Sequence, residues 1–162
     1  MTIFKNNLVA GKYKLVKKLG EGAFGHCHQA LSVHDGQAVA LKFQKTRSNS
    51  SLFAEAKLCR TLSGGLGMPT VSWSGTDGEY NIMAMELMGA SVEDLSVQQP
   101  NGLSLKSVVM LGDQMVNRLE YVHSRGYIHR DVKPDNFVIG RGAKAHLVHI
   151  IDFGLAKRFR LP

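Results

Sequence analysis

The sequence predicts an α+β fold in which a sheet-rich half precedes the start of a helical half. Three observations carry this reading. Short alternating apolar runs punctuated by Gly and Asp extend to Leu87, one segment with three-to-four spacing ends at Gly64-Gly65, and a much longer one follows Ser104. A chain of 162 residues suits one domain or two small lobes and argues against more.

Tyr13 to Leu19 (YKLVKKL) alternates as a strand does, and three glycines between Gly20 and Gly25 interrupt it before His26 to Leu31 resumes an extended pattern. After the turn signal His34-Asp35-Gly36, the run AVALKF sets Val39, Leu41 and Phe43 on one face. Lys42 shares the other face with Ala38 and Ala40, small neighbours that leave room for a ligand. Ser50 and Ser51 can cap a helix whose apolar face is Leu52, Ala56, Cys59 and Leu62 and whose first or second turn carries Glu55. Val71 to Trp73 and Tyr80 to Leu87 read as strands joined by a turn at Gly75-Thr76-Asp77-Gly78, giving about five strands and one helix in this half. Ser104 then opens a long helix with Leu105, Val108, Leu111, Met115, Leu119 and Val122 on one stripe, closed by Gly126. A polar loop and strands at Phe137 to Ile139 and Leu147 to Ile151 follow.

Composition narrows the function classes. A hydrophobic content of 44% with 20% charged residues belongs to an ordinary globular chain, and no stretch approaches a transmembrane span, so no membrane partner is expected. MTIFKNNLVAGKYK lacks the apolar run of a secretory signal, which predicts an intracellular protein, cytoplasmic, nuclear or both. Cys27 and Cys59 are too few for a disulfide framework and fit a reducing compartment. His26 and His28 flank Cys27 on a strand and therefore face away from the thiol, which argues against a metal site there. The net charge of +7 favours an anionic partner such as a nucleotide, a nucleic acid or an acidic peptide, but the signal is weak, because the basic residues are dispersed, aromatics are 7% and no nucleic-acid motif accompanies them.

The chemistry lies in the polar motifs. GEGAFG, residues 20–25, leads into a strand-like HCHQAL and not a helix, so it suits a hairpin flap whose glycines let backbone amides approach phosphate oxygens. Lys42, in VALK, can hold phosphates if Glu55 orients it as an ion pair between strand and helix. HRDVKPDN, residues 129–136, supplies an aspartate to receive a hydroxyl proton and an asparagine to hold a metal, with Asp152 of DFG as the second metal ligand.

These five motifs, in this order, resemble those of a eukaryotic protein kinase, and the Lys-Pro in DVKPDN is similar to the serine/threonine-specific form. MELMGASVEDL, LGDQMVNRLEYVHSRGYIHRDVKPDNF and IIDFGLAKRFR further resemble the casein kinase 1 family, from about Tyr13 to Arg160. The resemblance implies an antiparallel five-stranded small lobe with one helix over residues 13–88, then the first, incomplete part of the large lobe over 89–162. It implies ATP and Mg2+ as cofactors and protein Ser/Thr side chains as substrate.

By the same resemblance, Gly20, Gly22 and Gly25 form the phosphate flap, Leu19 and Cys27 flank adenine from above, Ala40 roofs it, and Val138 and Ile151 floor it. Met85 is the gatekeeper, Glu86 and the backbone of Met88 present hinge hydrogen bonds, and Lys42 contacts the α and β phosphates while paired with Glu55. Asp131 is the catalytic base, Lys133 steadies the γ phosphate, and Asn136 and Asp152 hold magnesium. Cys27 departs from the family's usual valine and puts a thiol beside the cofactor. Eight residues follow Gly154, so the chain resembles an incomplete kinase, without the segment that grips a protein substrate. A truncated ATP-binding module without phosphotransfer is the alternative, and a nucleic-acid or scaffold binder using the basic lobe is a third.

Overall fold

Six antiparallel strands form the main sheet: β1 (Leu8–Val9), β2 (Tyr13–Gly22), β3 (Gly25–Ser32), β4 (Ala38–Lys45), β5 (Val71–Asp77) and β6 (Tyr80–Glu86), in the order β1-β2-β3-β4-β6-β5. The structure, a computed structural model, describes residues 8–22, 25–46 and 51–159, and these counts refer to them. The chain divides into two compact units, Met1–Arg60 with Thr70–Leu87, and Thr61–Pro69 with Met88–Pro162.

In the first unit, alternation decides which face is buried. Val39, Leu41 and Phe43 of β4 join Val9, Tyr13, Ala30, Ile82 and Ala84 in one core, with Trp73, Leu15 and Tyr80 packed against it. Helix α1 (Leu52–Leu62) covers the opposite face and sets Leu52 and Ala56 on Met83. All four apolar positions expected on that helix are buried, Cys59 and Leu62 included. Its first turn begins after Ser51, whose carbonyl accepts the Glu55 N–H at 2.8 Å, whereas Ser50 lies outside the described residues.

Two details differ from expectation. The two-residue β1, paired Leu8↔Lys14 and Val9↔Tyr13, is too short to show alternation yet buries Val9 completely. Strand β5 runs on through Gly75 and Thr76 to Asp77, leaving the turn at Gly78 and Glu79. Gly75 serves packing and not turning, because a Cβ there would meet the Trp73 ring at 2.4 Å.

The second unit contains α2 (Val92–Val97), α3 (Leu105–Ser124) and four short strands, β7 (Tyr127–Ile128), β8 (Phe137–Ile139), β9 (Val148–Ile150) and β10 (Lys157–Arg158), paired β7 with β10 and β8 with β9. Ser104 caps α3 by accepting the Ser107 N–H, and Gly126, at φ 82°, follows its end. The expected six-residue stripe is buried unevenly. Val122 is fully buried, Leu111, Met115 and Leu119 are half-buried, and Leu105 and Val108 are exposed. The reason is where the helix is held. Gln114 bonds His146 O and the Val148 N–H, and Arg118, 5% exposed, donates Nε to Val148 O at 2.8 Å, so α3 is held by its middle and not by its first turns.

The stretch Thr61–Pro69 belongs to this second unit although it precedes the boundary at residue 88 expected from the sequence. Its ties are specific: Tyr121 OH donates to Leu62 O, the Ile150 N–H donates to Gly67 O, and a Cβ on Gly67 would collide with Arg118 and the Val148 carbonyl. No helix among the described residues is long and apolar enough to cross a membrane.

Candidate active site

In the first unit the candidate residues lie on the β2–β3 hairpin, β4, α1 and β6. The register pairs Gly20↔Cys27, Glu21↔His26 and Gly22↔Gly25, with an extra residue, Leu19, between the Lys18 and Gly20 pairs. That bulge leaves Leu19 exposed at the base of the glycine segment. Among the described residues nothing lies within 4 Å of where a Cβ on Gly20 or Gly22 would stand. Gly25 is held by packing. Its φ is +140° and a Cβ would lie 1.9 Å from the Phe43 carbonyl oxygen, so only glycine fits.

Strand alternation then sorts the side chains as the sequence predicts. His26 stacks on Phe43, centroids 4.8 Å apart, and His28 meets the same ring edge-on, while Cys27 pairs with Lys42 on the other face. Burial pushes the Cys27 thiol up to about 11, and the opposing pull of Lys42 is the smaller effect. Because the thiolate is the nucleophile, alkylation of Cys27 by iodoacetamide is expected to be slow at pH 7.5 and to rise about tenfold per pH unit up to the thiol's own range. A rate already flat above pH 8 would reject this buried setting.

Lys42 Nζ donates to both Glu55 carboxylate oxygens at 2.9 Å, and the Glu55 side chain is only 3% exposed. Such a bidentate, charge-assisted contact fixes the ammonium in one place. Ala40 pairs with Met85, putting the two expected adenine neighbours side by side across β4 and β6. Glu86 pairs with Val39, and its N–H donates to Thr70 O at 2.9 Å. Met88, half-buried, is the first residue past the division of the chain.

In the second unit, the loop between β7 and β8 gathers Asp131, Lys133 and Asn136. Lys133 Nζ lies 2.9 Å from Asp131 Oδ2, and Asn136 Nδ2 donates to both the carbonyl (2.8 Å) and Oδ2 (2.9 Å) of Asp131. Both bonds run to acceptors, which fixes the amide orientation and turns the Asn136 carbonyl oxygen away from Asp131. Lys133 first, then Asn136, holds the Asp131 carboxyl below its ordinary range, so it is an ionised acceptor at neutral pH. Lys133 is correspondingly raised, by Asp131 and, more weakly, by the charges of Asp152 and Asp135.

Asp152 ends the β9 segment in the left-handed region, φ 63° and ψ 68°, just ahead of a 3-10 turn at Phe153–Leu155. A non-glycine residue there is uncommon and often marks a functional site. Val138 is buried and paired with His149, and Ile151 donates its N–H to Asn136 O at 2.9 Å. The Asn136 amide and Asp152 carboxylate are hard oxygen donors, a set that suits Mg2+ sharing its shell with phosphate oxygens and water.

Two residues of HRDVKPDN make contacts that the sequence reading did not assign them. His129, 1% exposed, brings its Nε2 2.9 Å from Ile151 O and accepts the Asp131 N–H at Nδ1, which together require the Nε2–H tautomer. Its ring also packs on Phe153, so one imidazole links the loop to the DFG segment. Arg130, at φ 66°, donates Nε to Leu155 O at 2.6 Å and makes a second link. Position in the motif was the only available signal.

Each unit thus carries its own assembled group, a lysine–glutamate pair in one and an aspartate–lysine–asparagine loop with a strained aspartate in the other. The family model for the protein kinase domain matches residues 13–162, which covers both groups and nearly the whole chain, and the chain belongs to the protein kinase family.

Proposed function

We propose that this protein kinase is serine/threonine-specific and of casein kinase 1 type, transferring the γ phosphate of MgATP to a protein hydroxyl. Residues 13–88 act as the nucleotide lobe and 89–162 as the part of the large lobe that bears the catalytic loop. The observation that carries the proposal is the Asp131 carboxylate, ionised and held by Lys133 and Asn136 in a loop that reads DVKPDN.

In this reading the hairpin amides and Lys42 bind phosphates, and Glu55 keeps the lysine in place. Asn136 and Asp152 would hold Mg2+, which when bound neutralises charge on the phosphates. Asp131 accepts the proton of the attacking hydroxyl, while Lys133 lies against the transferred group. The first unit would offer the base Leu19, Cys27 and Ala40, with Met85 and Glu86 at its edge, and the second unit would offer Met88, Val138 and Ile151.

The test is incubation of the 162-residue chain with labelled ATP and Mg2+, offering casein and matched Ser, Thr and Tyr peptides. Label on serine and threonine but not tyrosine is expected. Label on tyrosine would reject the specificity, and tight MgATP binding without any transfer would favour an ATP-binding module instead.

A further inference from the structure

Gln44 is a polar side chain that the phosphate-binding reading leaves unused, yet it is only 7% exposed. It stands two residues beyond Lys42 on β4 and so projects from the same strand face. Its Oε1 accepts the backbone N–H of Leu52 at 3.1 Å. Leu52 is the first residue of α1 and 1% exposed, so this amide is among those a helix cannot satisfy internally, and water does not reach it freely.

Lys42 meets the same helix one turn further on, at Glu55. Two residues of strand cover roughly 6.6 Å and three residues of helix about 4.5 Å. The chain reverses between β4 and α1, so the later strand residue meets the helix start and the earlier one meets its next turn. One strand face therefore holds one helix at two adjacent points.

We propose that Gln44 is a positioning residue for ATP binding: by holding the first amide of α1, it sets Glu55 where both its carboxylate oxygens reach Lys42. The inference rests on Lys42 being a phosphate contact. A glutamine whose task was only to fill space would act independently of Glu55.

A double-mutant cycle on the full chain separates the two, with the MgATP dissociation constant read by calorimetry. Gln44→Met keeps the shape and removes the acceptor. It is expected to raise the constant about tenfold, or ~1.4 kcal/mol. In a Glu55→Gln background, Gln44→Met should add less than about a twofold change, because the residue it acts through is already impaired. Equal losses in both backgrounds, or a folded Gln44→Met protein with unchanged affinity, would overturn the proposal.

Amide hydrogen exchange at Leu52 is the second readout. It should accelerate in Gln44→Met and stay slow in Glu55→Gln, and no acceleration in Gln44→Met would also overturn it. If Lys42→Ala leaves MgATP affinity intact, the phosphate-contact reading fails, whereas exchange at Leu52 still judges the hold of Gln44 on the helix.

Discussion

Asp131→Asn is expected to lower the phosphotransfer rate by about 10²- to 10⁴-fold, the range for loss of a positioned general base, while MgATP binding changes little. The aspartate does two things that asparagine cannot. Its Oδ2 accepts from both Lys133 and Asn136 as an anion, and its charge keeps a proton acceptor ready at neutral pH. Because both donors meet the same oxygen, an asparagine amide can keep its carbonyl there only as a neutral acceptor, and its NH2 then stands at the other oxygen's place, where no proton can be received. The fold around it should survive, since the backbone bonds to His129 and Asn136 do not use the carboxylate.

The sign of the pH effect follows from the depressed carboxyl. Asp131 stays charged above its ordinary range, and its ion pair with Lys133 is lost only as pH falls through the lowered value. A falling limb of kcat near neutral pH must therefore come from another group. An Asp131→Asn protein with undiminished turnover on casein would remove Asp131 from the chemistry.

Lys42→Met should produce the second large effect, and it should appear in both binding and stability. Two charge-assisted bonds disappear, and the MgATP dissociation constant is expected to rise by about 10- to 100-fold, as the loss of one charged contact of ~1.5–3 kcal/mol implies. Glu55 would also be left buried without its cation. Breaking a buried pair costs about 3–5 kcal/mol, and because the Lys42 side chain keeps 20% exposure, about 2–4 kcal/mol is the expected loss. Urea unfolding can check this directly. The double variant Lys42→Met/Glu55→Gln should unfold at higher urea than Lys42→Met alone, because it removes the stranded charge while ATP binding remains weak. A double variant no more stable than the single one would mean that the glutamate is not carrying that penalty.

The residues that pattern could reveal were those with a two-residue or three-to-four-residue period. Val39, Leu41 and Phe43 opposite Lys42, and Leu52, Ala56, Cys59 and Leu62 on α1, are where alternation and helical spacing place them. Short elements carry too few repeats for that signal. Helix α2, with six residues, went unread in the sequence; the structure shows that Ser91 and Asp94 form a capping box at its start. Gln44 lies just past the AVALKF run, and nothing local tells that a helix amide will stand over it. The Thr61–Pro69 segment escaped for the same reason, because its partners Arg118, Tyr121 and Val148 lie far along the chain.

The pocket that Gly67 leaves for Arg118 sets an order of events during synthesis. The guanidinium and the Val148 carbonyl that it binds leave the ribosome long after Gly67, roughly eighty residues later in the case of Val148. At about 5–20 residues per second, an early piece of the chain waits several seconds for the groups that will cover it. The six-stranded sheet is already complete by residue 87, so the nascent protein can bring its strands together first and finish the unit around α3 and β9 last.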